Sequence, residues 1–86
     1  MFKATVTVKN ETGLHARPAT DLVALSQSFD SEITLYTEEE EINPKSIVSL
    51  LAGGVMQGDV VNIEISGDDE EEAGAAIVDF INNLTE

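Results

Sequence analysis

His15 is the single histidine of an 86-residue chain, and it stands inside the segment Gly13-Leu14-His15-Ala16-Arg17-Pro18-Ala19 with an arginine two residues on. Imidazole in water titrates near about pH 6.5, so one of its nitrogens can act as a nucleophile under neutral conditions. Proline at 18 suits the first turn of a helix, where its missing N–H is not needed and its fixed φ is already helical. The spacing therefore predicts a helix starting near residue 16, with Gly13 giving the backbone freedom for the approach. Such a start carries unpartnered amides and a partial positive charge, which together favour an anion. A phosphoryl group on His15 would meet the amides of Ala16 and Arg17, and the Arg17 guanidinium could pair its oxygens through two N–H groups. A lone histidine also has an ordinary reading, as a side chain turned to solvent or packed in a core.

The elements that must position this segment are legible as changes of period. Phe2, Ala4, Val6 and Val8 alternate with polar neighbours, predicting a half-buried strand over 2–9. From 16 to 27 the period becomes helical, with Ala19, Leu22, Val23 and Ser26 on one stripe. A second strand is expected over 32–37, then an acidic turn and a short antiparallel strand near 40–42. Ser46 is a good N-cap for a short helix that the Gly53-Gly54 pair should stop. That helix is apolar on more than one side, so Ile47, Val48 and Leu51 cannot all point inward. Val61, Ile63 and Ile65 predict a last strand, and a helix from about 69 to 83 turns Ala73, Ala76, Ile77, Phe80, Ile81 and Leu84 inward. The order β-α-β-β-α-β-α, with one polar face on every strand, predicts an α+β open-faced sandwich: an antiparallel sheet covered by helices on one face.

Eighty-six residues suit a single domain, 1–86, with one small core. No apolar run approaches membrane-spanning length and no signal-peptide core opens the chain, so a cytoplasmic protein is expected. Without cysteine, and with one histidine among scattered carboxylates, neither a disulfide framework nor a metal site is expected, and no cofactor is called for. Four basic residues against seventeen acidic ones leave a formal charge of −13, which repels nucleic acid and anionic membranes. The acids concentrate in Glu38–Glu41 and Asp68–Glu72, read as a solvated turn and an acidic helix start. The excess also raises the hypothesis of adaptation to high salt.

Residues 13–19 resemble the active-site segment of the HPr family, the histidine phosphocarriers of the bacterial phosphoenolpyruvate-dependent sugar phosphotransferase system. A second segment, Asn43-Pro44-Lys45-Ser46-Ile47, sits where that family places its regulatory serine, and the spacing between the two matches. The resemblance runs without evident gaps over most of the chain. It implies a sheet of order 1-4-2-3 under three helices. It also implies that His15 accepts a phosphoryl group from phospho-enzyme I, through Nδ1, with Arg17 stabilising its charge, and hands it to enzyme IIA acceptors. Turnover would belong to those partners, so the chain is a carrier and not itself an enzyme, and a monomer suits visits to several partners. Thr20, Ile47, Val48 and Leu51 would contribute to the docking surface. Ser46 would be open to a serine kinase/phosphorylase, whose phosphate would weaken the enzyme I encounter and create a contact with a transcriptional regulator in catabolite repression. Several positions depart from the pattern: Pro44, Ser49 and Gly53 differ, and Val48 and Leu51 replace common methionines. Ala24 and Gln27 stand where many members carry a base, which leaves Arg17 and Lys45 to supply the attraction for enzyme I.

Two other readings are open. One is a regulatory binding module that acts mainly through Ser46 phosphorylation and transcription-factor binding, as in relatives that have lost the histidine; His15 and Arg17 are both present here. The other, an acyl-carrier-like protein, fits size and acidity but lacks an Asp-Ser-Leu attachment motif.

Overall fold

Alternation at the amino terminus does build a strand. In the computed structural model, which describes residues 1–85, β1 (Phe2–Thr7) pairs antiparallel with β4 (Val60–Ser66), from Phe2 opposite Ile65 to Thr7 opposite Val60. β4 pairs on its other side with β2 (Glu32–Tyr36), and β2 carries the two-residue β3 (Glu41–Ile42) at its outer edge. The sheet order is β1-β4-β2-β3, as the resemblance implied. β1 stops short of the expected residue 9 because β4 begins only at Val60. Beyond that point Val8 bonds to Asp59 and Gly58, and Lys9 O accepts from the Gln57 side chain.

Among the described residues there are also three helices: α1 (Ala16–Gln27), α2 (Ile47–Gly53) and α3 (Glu70–Asn82). Val6, Ile33, Leu35, Val61, Ile63 and Ile65 from the strands meet Leu22, Leu50 and Ile77 from the helices in one buried cluster. Each such aliphatic side chain contributes about 1.5–3 kcal/mol by leaving water. Lys3, Thr5, Asn62 and Ser66 occupy the open face, where Thr5 donates to Asn62 at 2.7 Å. α3 lies close enough to β1 that a Cβ at Gly74 would run into the Phe2 ring at 2.5 Å. α2 buries Leu50 alone, and Ile47, Val48 and Leu51 stay exposed.

α1 and α2 pack side by side with opposite ends together. The segment after α2 bonds back to the segment before α1, Leu14 N donating to Val55 O at 3.1 Å. At the other end the Gln27 side chain donates to Lys45 O at 3.0 Å, just before α2 begins. His15 therefore lies by the C-terminal end of α2, and Ser46 lies by the C-terminal end of α1. A twelve-residue helix is about 18 Å long, so these two residues mark opposite ends of one face.

Candidate functional site

The approach to His15 is held from beneath. Gly13 takes φ +65, and a Cβ there would stand 2.4 Å from Val55 O. Both facts admit glycine alone. The buried side chain of Asn10 donates to Gly13 O at 2.9 Å, and Gly13 N donates back to Asn10 O at 3.3 Å. Leu14, fully buried, anchors the loop in the core. Asn10 carries no signal in the sequence beyond being a turn-former, and its structural part emerges only from the fold.

His15 is the N-cap residue of α1, extended at φ −128 and ψ 168, and its side chain makes no capping bond. The imidazole is half-buried and uncommitted to the helix. The next residue, Ala16, has φ +53, a left-handed conformation that costs an L-residue about 1–3 kcal/mol and is found where a fold imposes it. This reversal turns the chain sharply between His15 and the first helical turn. The Ala16 and Arg17 amides belong to that turn, where no preceding carbonyl can take them. Pro18 and Ala19 are buried beneath them. Thr20 is exposed one turn on and donates to Ala16 O at 3.3 Å.

Arg17 is out in solvent, and its Nε lies 4.0 Å from Asp21 Oδ2. Asp21 comes into view only with this contact. Its signal was available, for it is the sole acid of α1 and stands four residues after the sole base. Lys45 lies at the other end of α1. Its Nζ donates to Phe29 O at 2.7 Å, where it ties the end of α1 to the start of α2. That bond and its place at the far end of α1 set Lys45 apart from His15, beside the Ser46 end of the face.

Ser46 caps α2 as its type predicts, its Oγ accepting from Ser49 N at 3.2 Å. Ser49 Oγ in turn accepts from Asn43 N at 2.9 Å, so Ser49 belongs to the same pinned turn. Gly54 ends the helix in a left-handed conformation at φ +63, with its N–H on Leu51 O. Ile47, Val48 and Leu51 are 39%, 74% and 44% exposed, and Met56, unremarked in the sequence, is 63% exposed beside the Gly13 turn. Exposed apolar side chains thus stand on α2 and, with Met56, beside the Gly13 turn.

The acidic segments divide on inspection. Glu38, Glu39 and Glu40 lie exposed in the expected turn, whereas Glu41, read with them in the sequence, opens β3. Asp69 and Glu70 are structural. The Asp69 carboxylate accepts from the Ser31 hydroxyl and from the Ser31 and Asp30 amides, both at 2.9 Å, and these bonds hold it below the usual carboxylate range. Glu70 is lowered by its contact with the terminal amine of Met1, at 2.8 Å, and by the Gly67 N–H.

Residues 2–83 match a family model described as the PTS HPr component phosphorylation site. The chain is 37% identical over 83 residues to phosphocarrier protein HPr of Xylella fastidiosa, covering 96% of this chain and 93% of that protein. To phosphocarrier protein NPr of Escherichia coli K12 it is 39% identical over 82 residues, covering 94% and 91%. Among solved structures, HPr-C-His from Thermoanaerobacter tengcongensis superposes with a TM-score of 0.92 at 45% identity, covering 95% of this chain and 92% of that one.

Proposed function

The chain belongs to the HPr family, the phosphocarriers of the phosphotransferase system, and from that premise we propose that His15 is the atom-bearing site of the carried phosphoryl group. The observation that supports this most directly is the placing of an uncommitted, half-buried imidazole at the N-cap of α1. Neutral imidazole has one nitrogen with a free lone pair and one N–H. The lone pair, on Nδ1 by resemblance to the family, attacks phosphorus as the bond to the donor breaks, and a phosphoramidate remains. The Ala16 and Arg17 amides and the Arg17 guanidinium receive its oxygens. The reverse step delivers the group to an acceptor. The chain supplies position and charge, and turnover rests with its partners.

Enzyme I as donor and enzyme IIA domains as acceptors are the partners that family membership implies, and the cytoplasm is where they meet. No helix among the described residues is long and apolar enough to cross a membrane. Thr20, Ile47, Val48 and Leu51 present the docking surface, which Met56 extends toward His15. Phosphorylation of Ser46 adds about −1.5 to −2 of charge to that surface. The Ser46 hydroxyl oxygen already accepts a helix amide, so added charge there is tolerated by the fold and acts at the interface by desolvation cost and repulsion from partner acids.

Intact mass after incubation with phosphoenolpyruvate and a Gram-positive enzyme I, for wild type and His15→Ala, tests the assignment. One acid-labile phosphoryl group is expected on the wild type and none on the variant. No transfer to the wild type at either low or high salt would shift the reading to a module regulated through Ser46. Ile47→Glu and Leu51→Glu should slow transfer without unfolding the chain, and unchanged rates would remove those residues from the docking surface.

A further inference from the structure

Along its twelve residues α1 carries two charged side chains, Arg17 and Asp21, which meet one turn apart with 4.0 Å between Nε and Oδ2. Helix stability does not call for this arrangement. A cation in the first turn faces the positive end of the helix dipole, and base before acid is the weaker of the two i, i+4 orientations. The pair sits where the chemistry is. Asp21 is one turn further from the helix start than Arg17, so a guanidinium drawn to it is drawn down the helix, away from His15 and the first-turn amides. A guanidinium serving a phosphoryl group on His15 must turn the other way. One guanidinium therefore answers to two anions, and with Lys45 held on Phe29 O no second cation of this segment relieves the competition.

We propose that Asp21 is a positioning residue for phosphoryl transfer: it holds Arg17 in the unphosphorylated carrier and gives it up when the phosphoryl group forms on His15. The inference rests on the His15 assignment above. A phosphoryl group with up to roughly two negative charges outbids a single exposed carboxylate. The exchange is thus readily made, yet it costs the phosphorylated state whatever the Arg17–Asp21 contact was worth. Asp21 also repels the bound group directly. Both effects make the carried phosphoryl group easier to release to an acceptor.

The test is the phosphorylated fraction of carrier at fixed phosphoenolpyruvate-to-pyruvate ratios with catalytic enzyme I, read by intact mass. Wild type, Asp21→Asn, Asp21→Glu, Arg17→Ala and the Arg17→Ala/Asp21→Asn double variant are compared at about 0.01 M and about 1 M salt, where the screening length falls from roughly 30 to 3 Å. Asp21→Asn should raise the phosphorylated-to-free ratio about two- to fivefold at low salt, as expected for an exposed charge contact. The gain should vanish at high salt, Asp21→Glu should behave as wild type, and most of the gain should disappear in the Arg17→Ala background. An equal gain without Arg17, or no gain at low salt, overturns the role of Asp21 alone. No phosphoryl group on the wild type overturns it together with the His15 assignment.

Discussion

At the scale of single residues, the site depends on backbone conformations that side chains resist. Gly13 and Gly54 have nearly the same φ, +65 and +63, but a Cβ on Gly13 would strike Val55 O whereas Gly54 faces open space. The two therefore separate conformational strain from crowding. Gly54→Ala should cost about 1 kcal/mol, the penalty of an L-residue in that region. Gly13→Ala should cost about 1–3 kcal/mol more, because a backbone oxygen cannot step aside without moving the loop. Urea unfolding of both variants checks the difference, and equal costs would mean that Val55 yields. Gly13 was readable from the sequence as the hinge of the approach. Its contact with Val55 was not, because that partner is 42 residues away and arrives only when β4 has paired.

At the scale of elements, charge helps decide how helices are seated. The start of α3 is pinned to the α1–β2 loop by Asp69, whose three accepted bonds favour its ionised form. A carboxyl group lowered in the folded state contributes stability that is present above its unfolded pKa, near about 4, and lost as pH falls through its folded value. Unfolding by urea at pH 5 and at pH 2.5 should show wild type losing more stability than Asp69→Asn over that interval. Equal losses would show that Asp69 plays no part in the acid response. The sequence displayed this residue as one acid in a run of five and predicted an acidic helix start, which holds, but not its bonds to the loop. Position 69 differs from its neighbours because the loop carrying Asp30 and Ser31 comes to it, a contact with no local signature. Helix periods, by contrast, were legible for α1 and α3, since one buried stripe per helix is a property of nearby residues.

At the scale of the whole molecule, the −13 charge is scarcely neutralised. Among the described residues the ion pairs are Met1 with Glu70 and Arg17 with Asp21, and Lys45 is spent on a carbonyl. On the open sheet face the Tyr36 hydroxyl is pushed up from its usual value by burial and by Glu41, Glu64 and Glu32 around it. A fold this acidic repels itself, and salt screens the repulsion. Raising salt from about 0.1 to 1 M shortens the screening length from roughly 10 to 3 Å and should add at least about 1 kcal/mol of stability. For a chain of this size that is a rise of roughly 4–8 °C in Tm. A midpoint that stays level or falls would remove salt adaptation as the reason for the acidic surface.

The sequence by itself determined the element order, the polar face of the sheet, the N-cap at Ser46 and the coincidence of His15 with a helix start. Each of these follows from residues within a few positions of one another, through period, capping or turn chemistry. The tertiary structure decided what depends on distant segments meeting. It sent Lys45 to Phe29, set His15 and Ser46 at opposite ends of one face, left Met56 exposed beside the Gly13 turn, and imposed φ +53 on Ala16. The placing of Lys45, His15 and Ser46 follows from the antiparallel packing of α1 against α2, which the shared core holds and no local preference of a residue in the site could fix.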